Sequence, residues 1–152
     1  MKKIRASIDK IIEWALIAIL GIMVINVLWQ VFTRFFTATP SSFTDELARY
    51  LMIWLGILGA AYVAGKNEHV AIDFFAKKVS ASKQKLISKF ISVAVLSFAF
   101  FGMVVGGSRL VYITSKVEQF SPSLKIPFAV VYGVIPLSGL LIIFYKLTHK
   151  EK

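Results

Sequence analysis

Long apolar runs separated by short charged stretches set the pattern of this chain. The first run extends from about Trp14 to Phe36 and the second from about Leu47 to Gly65. The third extends from about Leu86 to Gly107, with helix continuing towards Thr114, and the fourth from about Pro127 to Tyr145. Each approaches the roughly 20 apolar residues that carry a helix across the hydrocarbon of a bilayer. None has the period-two alternation of a barrel strand. The pattern predicts an all-α integral membrane protein, one four-helix domain over residues 1–152. The stretch NEHVAIDFFAKKVSASKQ, between the second and third runs, is too polar to cross. Over 68–80, Ile72, Phe75, Ala76 and Val79 share one helical face, with Asp73 and Lys77 at its edge. That predicts a short amphipathic helix lying in the interface, with a solvated loop as the alternative.

Composition supports the membrane assignment. Hydrophobic residues are 57% of 152, and mean hydropathy is +0.74. A soluble chain of this size has too little interior to hide so much apolar surface. The net charge of +10 would suggest nucleic acid in a soluble protein, but here the cations cluster between apolar runs. They read as topology signals and headgroup contacts. Of the 18 Lys and Arg, only Arg34, Arg49, Arg109, Lys116 and Lys125 fall on one side of the spans. The positive-inside rule then predicts both termini in the cytoplasm, with Asp45, Glu46 and SPSLKIP facing outward. Lys2, Lys3 and Arg5 could begin a leader, but the apolar run is long and no A-x-A site follows closely, so a retained helix is expected. Trp14, Trp29, Tyr112 and Tyr145 fall where an aromatic belt is expected. Without cysteine there is no disulfide, thiolate metal site or Cys nucleophile.

The span centres carry no charge. Arg34 lies near the outer end of the first span, Asp45, Glu46 and Arg49 begin the second, and Arg109 lies near the outer end of the third. A proton-coupled exporter would want a midplane carboxylate, and a haem bundle would want histidines inside its helices. The two histidines, His69 and His149, sit at cytoplasmic helix ends. His69 with Glu68 and Asp73 is the sole candidate metal cluster, and a polar helix end explains it better. No enzyme, cofactor or metal site is expected.

What remains is a pattern for packing. Asn26, Gln30, Thr33, Arg34 and Thr37 step by three and four along the outer half of the first span. Such a stripe serves either internal packing or docking on a second membrane protein. Gly56, Ala60 and Ala64, and likewise Gly102 and Gly106, form small-residue faces. Asp45 and Arg49 are spaced to pair on one helical face. Thr44 is an expected N-cap, Pro127 suits the first turn of the fourth span, and Pro136 should kink it.

The order WQVFTR, then TDELARYLMIWLGILGAAYVAGKNEHVAIDFF, then QFSPSLKIPFAVVYGVIPLSG resembles the small membrane subunit of tripartite ATP-independent periplasmic (TRAP) transporters. The resemblance extends from about Trp14 to Gly139. It implies a scaffold subunit of a sodium-driven importer of organic acids, of sialic acid or dicarboxylate type, in the bacterial inner membrane. It implies two partners besides lipid: a separate large transport subunit and a periplasmic substrate-binding protein. Arg34, Glu46, Arg49, His69 and Asp73 fall in the recurrent motifs of that family. With Asn26, Gln30 and Asp45 they are the candidate docking residues, and no direct substrate site is expected. The main rival is a stand-alone homo-oligomeric transporter or channel, which would need polar side chains through the middle of a span.

Overall fold

The computed structural model describes residues 2–37, 41–66 and 81–148, all helical except for one long loop and short turns. Helix α1 covers Lys2–Thr37 and α2 covers Ser42–Lys66. The third span is α3, Ala81–Ser97, running through a π-helical segment, Phe98–Gly106, into α4, Gly107–Lys116. The fourth is a short α5, Phe128–Tyr132, and α6, Val134–Thr148. Four of these stretches are long and apolar enough to cross a membrane: Lys3–Phe36, Ser42–Lys66, Lys89–Lys116 and Phe128–Thr148. The expected interfacial helix over 68–80 lies outside the described residues.

The helices line up as a row. α1 packs on α2, α2 on α6, and α6 on the π segment, while α1 has no extensive contact with the third span. Two side chains fix the antiparallel register of α1 and α2. Arg5 donates to the Gly65 carbonyl, and Asn26 Nδ2 donates to the Thr44 carbonyl at 2.7 Å. The interval between these ties is 21 residues on both helices, about 31 Å of matched helix.

Close approach at glycine holds the other end of the row together. A Cβ on Gly139 would lie 2.8 Å from Met103 Cβ and 3.0 Å from the Ala99 carbonyl oxygen of the π segment. A Cβ on Gly65 would lie 2.7 Å from the Tyr145 ring. Ala61, Ala64, Ala99 and Ile142 form the buried apolar centre between these approaches.

The small-residue faces read from sequence are therefore displaced. Ala64 is in the contact, but Gly56 and Ala60 are exposed, and α2 buries Leu58, Ala61, Ala64 and Gly65 instead. Gly102 and Gly106 are also exposed. A π-helical segment holds more residues per turn than an α-helix, so the faces that continue beyond it are rotated from those an unbroken α-helix would give. The break in the fourth span comes at Gly133, before Pro136. Pro136 falls in the first turn of α6, where its missing N–H costs nothing. Trp54 Nε1 donates across from α2 to the Val131 carbonyl beside the break, at 3.1 Å.

Candidate functional site

The polar groups gather at the two ends of α2. At its start the helix begins at Ser42, so Thr44 lies inside the first turn and is not the N-cap. Its hydroxyl donates to the Ser41 carbonyl at 2.8 Å. The neighbouring carboxylates, Asp45 and Glu46, go separate ways. Asp45 Oδ2 pairs with Arg49 at 2.7 Å, with Arg49 65% and Asp45 56% exposed. Glu46 Oε2 accepts three hydrogen bonds from the loop before α5: the Ser121 hydroxyl, the Ser123 N–H at 3.1 Å and the Leu124 N–H at 3.1 Å.

That loop is built to receive a carboxylate. Its neck is closed by Ser121 N–H to the Ile126 carbonyl and Phe128 N–H to the Gln119 carbonyl, both at 3.0 Å. Glu118 and Lys125 take left-handed backbone conformations, with φ of 51° and 52°. Between them the turn closed by Lys125 N–H on the Ser121 carbonyl at 3.0 Å presents the amides of Ser123 and Leu124 to Glu46, and successive N–H groups in such a turn form an anion-binding nest. Ser121 is buried. With three donors on one oxygen, Glu46 is a clamp for the loop, not a free acid or base.

The polar stripe of α1 divides. Asn26 is buried and turned to α2. Gln30 is half-buried, its backbone carbonyl accepting the Thr33 hydroxyl at 3.0 Å. Arg34 is exposed and meets neither Asp45 nor Glu46; it has no partner among the described residues. On the other side of the helix Trp29 stacks on Phe32 and Phe32 meets Phe36 at a tilt, with ring centroids 5.9 and 4.3 Å apart, and all three are at least half exposed. His69 and Asp73 lie outside the described residues.

At the far end of α2 lies a cluster that sequence reasoning missed. Tyr145 is buried, unlike the exposed Trp14, Trp29 and Tyr112, so it is no lipid-facing belt residue. Its hydroxyl donates to Asp9 Oδ1 at 2.6 Å. The Arg5 guanidinium lies 5.7 Å from the centroid of the same ring. Arg5 had signalled only topology and Asp9 nothing, because the partner of each is more than fifty positions away in the chain. Ser121 carried a faint signal in S-P-S, a turn-forming sequence.

The comparisons with known proteins agree on one family. Residues 22–149 match the model of "Tripartite ATP-independent periplasmic transporters, DctQ component". A Haemophilus influenzae protein named as a TRAP transporter small permease is 28% identical over 142 residues, covering 93% of this chain and 86% of that protein. The sialic acid TRAP transporter small permease protein SiaQ of Vibrio cholerae is 28% identical over 96 residues, 63% of this chain and 56% of SiaQ. The sialic acid TRAP transporter permease protein SiaT of Haemophilus influenzae is 31% identical over 104 residues, which span only 16% of SiaT.

Proposed function

The chain belongs to the DctQ component family of tripartite ATP-independent periplasmic transporters, and from that premise we propose that it is the scaffold subunit of a sodium-driven importer of organic acids. It is a multi-pass membrane protein and a small permease component. In the proposed complex it packs against a separate large transport subunit in the inner membrane and helps receive a periplasmic substrate-binding protein. The names of its relatives support a substrate of sialic acid or C4-dicarboxylate type. The distribution of Lys and Arg supports cytoplasmic termini, with residues 68–80 lying in the cytoplasmic interface and the whole chain forming one domain.

The observation that carries this reading is the outer half of α1. An exposed arginine with no partner among the described residues stands on a helix held to its own bundle along one side, with exposed aromatics on another of its faces. A cation at the edge of a membrane span finds a counter-charge, a headgroup or a second protein. We assign Arg34, with Gln30, to contact with the large subunit. Asn26 sets register and Glu46 holds the outer loop beside it, while Asp45 and Arg49 pair with each other at the exposed start of α2. His69 and Asp73 serve at the cytoplasmic side.

The test is mild-detergent purification of the tagged chain from its host. A much larger polytopic protein in equal amount is the expected result. Recovery of the chain with itself alone would favour the homo-oligomeric transporter. Arg34→Ala should lower recovery of the complex about tenfold, one lost charge-assisted contact, while membrane insertion stays at the parent level. Equal recovery of complex would remove Arg34 from the interface.

A further inference from the structure

A cleft of about 480 Å³ opens between the first turns of α1 and the last turn of α2. Its volume falls within the range of small-ligand sites, about 300–1,000 Å³. Asp9, Lys10, Glu13 and Trp14 line one wall, and Tyr62 and Lys66 the other. Two cations and two carboxylates thus face one space. Asp9 and Glu13 stand one helical turn apart, an arrangement of like charges that destabilises a helix. Among the described residues, neither forms an ion pair within 4 Å with Lys10. Among the described residues only one oxygen of Asp9 is hydrogen-bonded, by Tyr145. Lys66 Nζ sits 4.5 Å from the centroid of the Tyr62 ring.

The cleft is also graded. Its charged residues precede the apolar run of α1, and Trp14, 63% exposed, marks where that run begins. Charged groups at the interface, an aromatic at headgroup depth and hydrocarbon beyond is the profile of a glycerophospholipid. A purely anionic headgroup would satisfy the lysines and repel the carboxylates. We propose that this cleft binds a zwitterionic phospholipid of the phosphoethanolamine class. Lys10 takes the phosphate, and Asp9 and Glu13 accept hydrogen bonds from the primary ammonium. A quaternary ammonium has no N–H to give them. The charge balance does not depend on which leaflet the cleft faces, so the assignment stands apart from the topology proposed above.

The test is native mass spectrometry of the purified complex titrated with phosphatidylethanolamine, phosphatidylcholine and phosphatidylglycerol. Ethanolamine lipid should be retained about tenfold over the other two, the worth of one charge-assisted hydrogen bond. Glu13→Gln should shift preference towards phosphatidylglycerol, and Lys10→Gln should weaken retention of the ethanolamine lipid. Both residues are exposed, so neither change threatens the fold. Phosphatidylglycerol held as well as the ethanolamine lipid by the parent, or unchanged selectivity in Glu13→Gln, would overturn the proposal. Displacement by soluble glycerophosphoethanolamine at matched concentration would also overturn it, making the cleft a site for a soluble phosphoamine.

Discussion

The first and fourth spans are equally oily and differently used. Their most apolar stretches have mean hydropathies of 2.4 and 2.2, yet 11% of the first is buried against 33% of the fourth. Hydropathy reports that a helix enters the membrane, not which neighbour it meets there. In lipid there is little hydrophobic drive for one helix to choose another, so close packing and hydrogen bonds decide. The fourth span has Gly139 against the π segment and Tyr145 against Gly65. The first has Asn26 and Arg5 reaching backbone carbonyls of α2, with Tyr145 and Asp9 tying its foot to α6. The fourth is held on two sides, by α2 and by the π segment, and the first on one, along α2.

The largest effect should come from forcing the fourth span off its seat. Gly139→Leu puts a side chain where even a Cβ meets the Ala99 backbone at 3.0 Å. Backbone cannot turn aside as a side chain does. Overpacking of this kind costs about 1–3 kcal/mol, or roughly 3–10 °C in apparent melting temperature for a chain of this size. Gly21→Leu, on the first span, has nothing within 4 Å of the added Cβ and should melt with the parent in detergent. Equal melting of the two variants would erase the distinction between the spans.

This contrast also marks the limit of what the sequence discloses. The number and placement of spans follow from apolar length, a local property that any window along the chain reveals. The packing faces do not. Counting small residues at steps of four selected Gly56 and Gly102, whereas Gly65, Gly107 and Gly139 are the ones in contact. A π segment changes the step, and its nine residues, FAFFGMVVG, carry no proline or polar group to announce it. Asp45 with Arg49 was legible because the pair is local. Glu46 with the loop at 121–124 was not, because a nest exists only once the backbone has curled.

The next effect is at the entrance to the fourth span, where Glu46 holds the loop that leads into α5. Glu46→Gln keeps the shape but gives the Ser123 and Leu124 amides a neutral acceptor. Charge-assisted bonds are about twice as strong as neutral ones. Amide exchange over 119–127 should therefore rise by about tenfold, as for one such bond weakened, while exchange in α1 stays unchanged. Uniform acceleration over all helices would mean that the carboxylate supports the whole bundle and that the fourth span has no separate anchor.

Smaller again is the middle tie of the first span. Asn26→Leu removes the bond to the Thr44 carbonyl and leaves a side chain of similar size. Interhelical hydrogen bonds in membranes average about 0.6 kcal/mol and reach about 1.7. A fall of a few degrees in apparent melting temperature is expected. A loss as large as that of Gly139→Leu would mean that α1 and α2 have no other effective hold on one another.

The smallest effect should come from the ion pair that was easiest to read. Asp45 and Arg49 are more than half exposed, so water and headgroups compete for both charges. Exposed pairs one helical turn apart contribute about 0.3–0.5 kcal/mol. Asp45→Ala should leave melting within about 1 °C of the parent and exchange over 119–127 unchanged. It differs from Glu46→Gln by one position in the chain and by about 100° around the helix. That rotation separates a carboxylate facing the solvent side from one facing the loop. If the two variants behave alike, the acids act only through the dipole at the start of α2. If they separate as expected, the loop is held by geometry specific to Glu46.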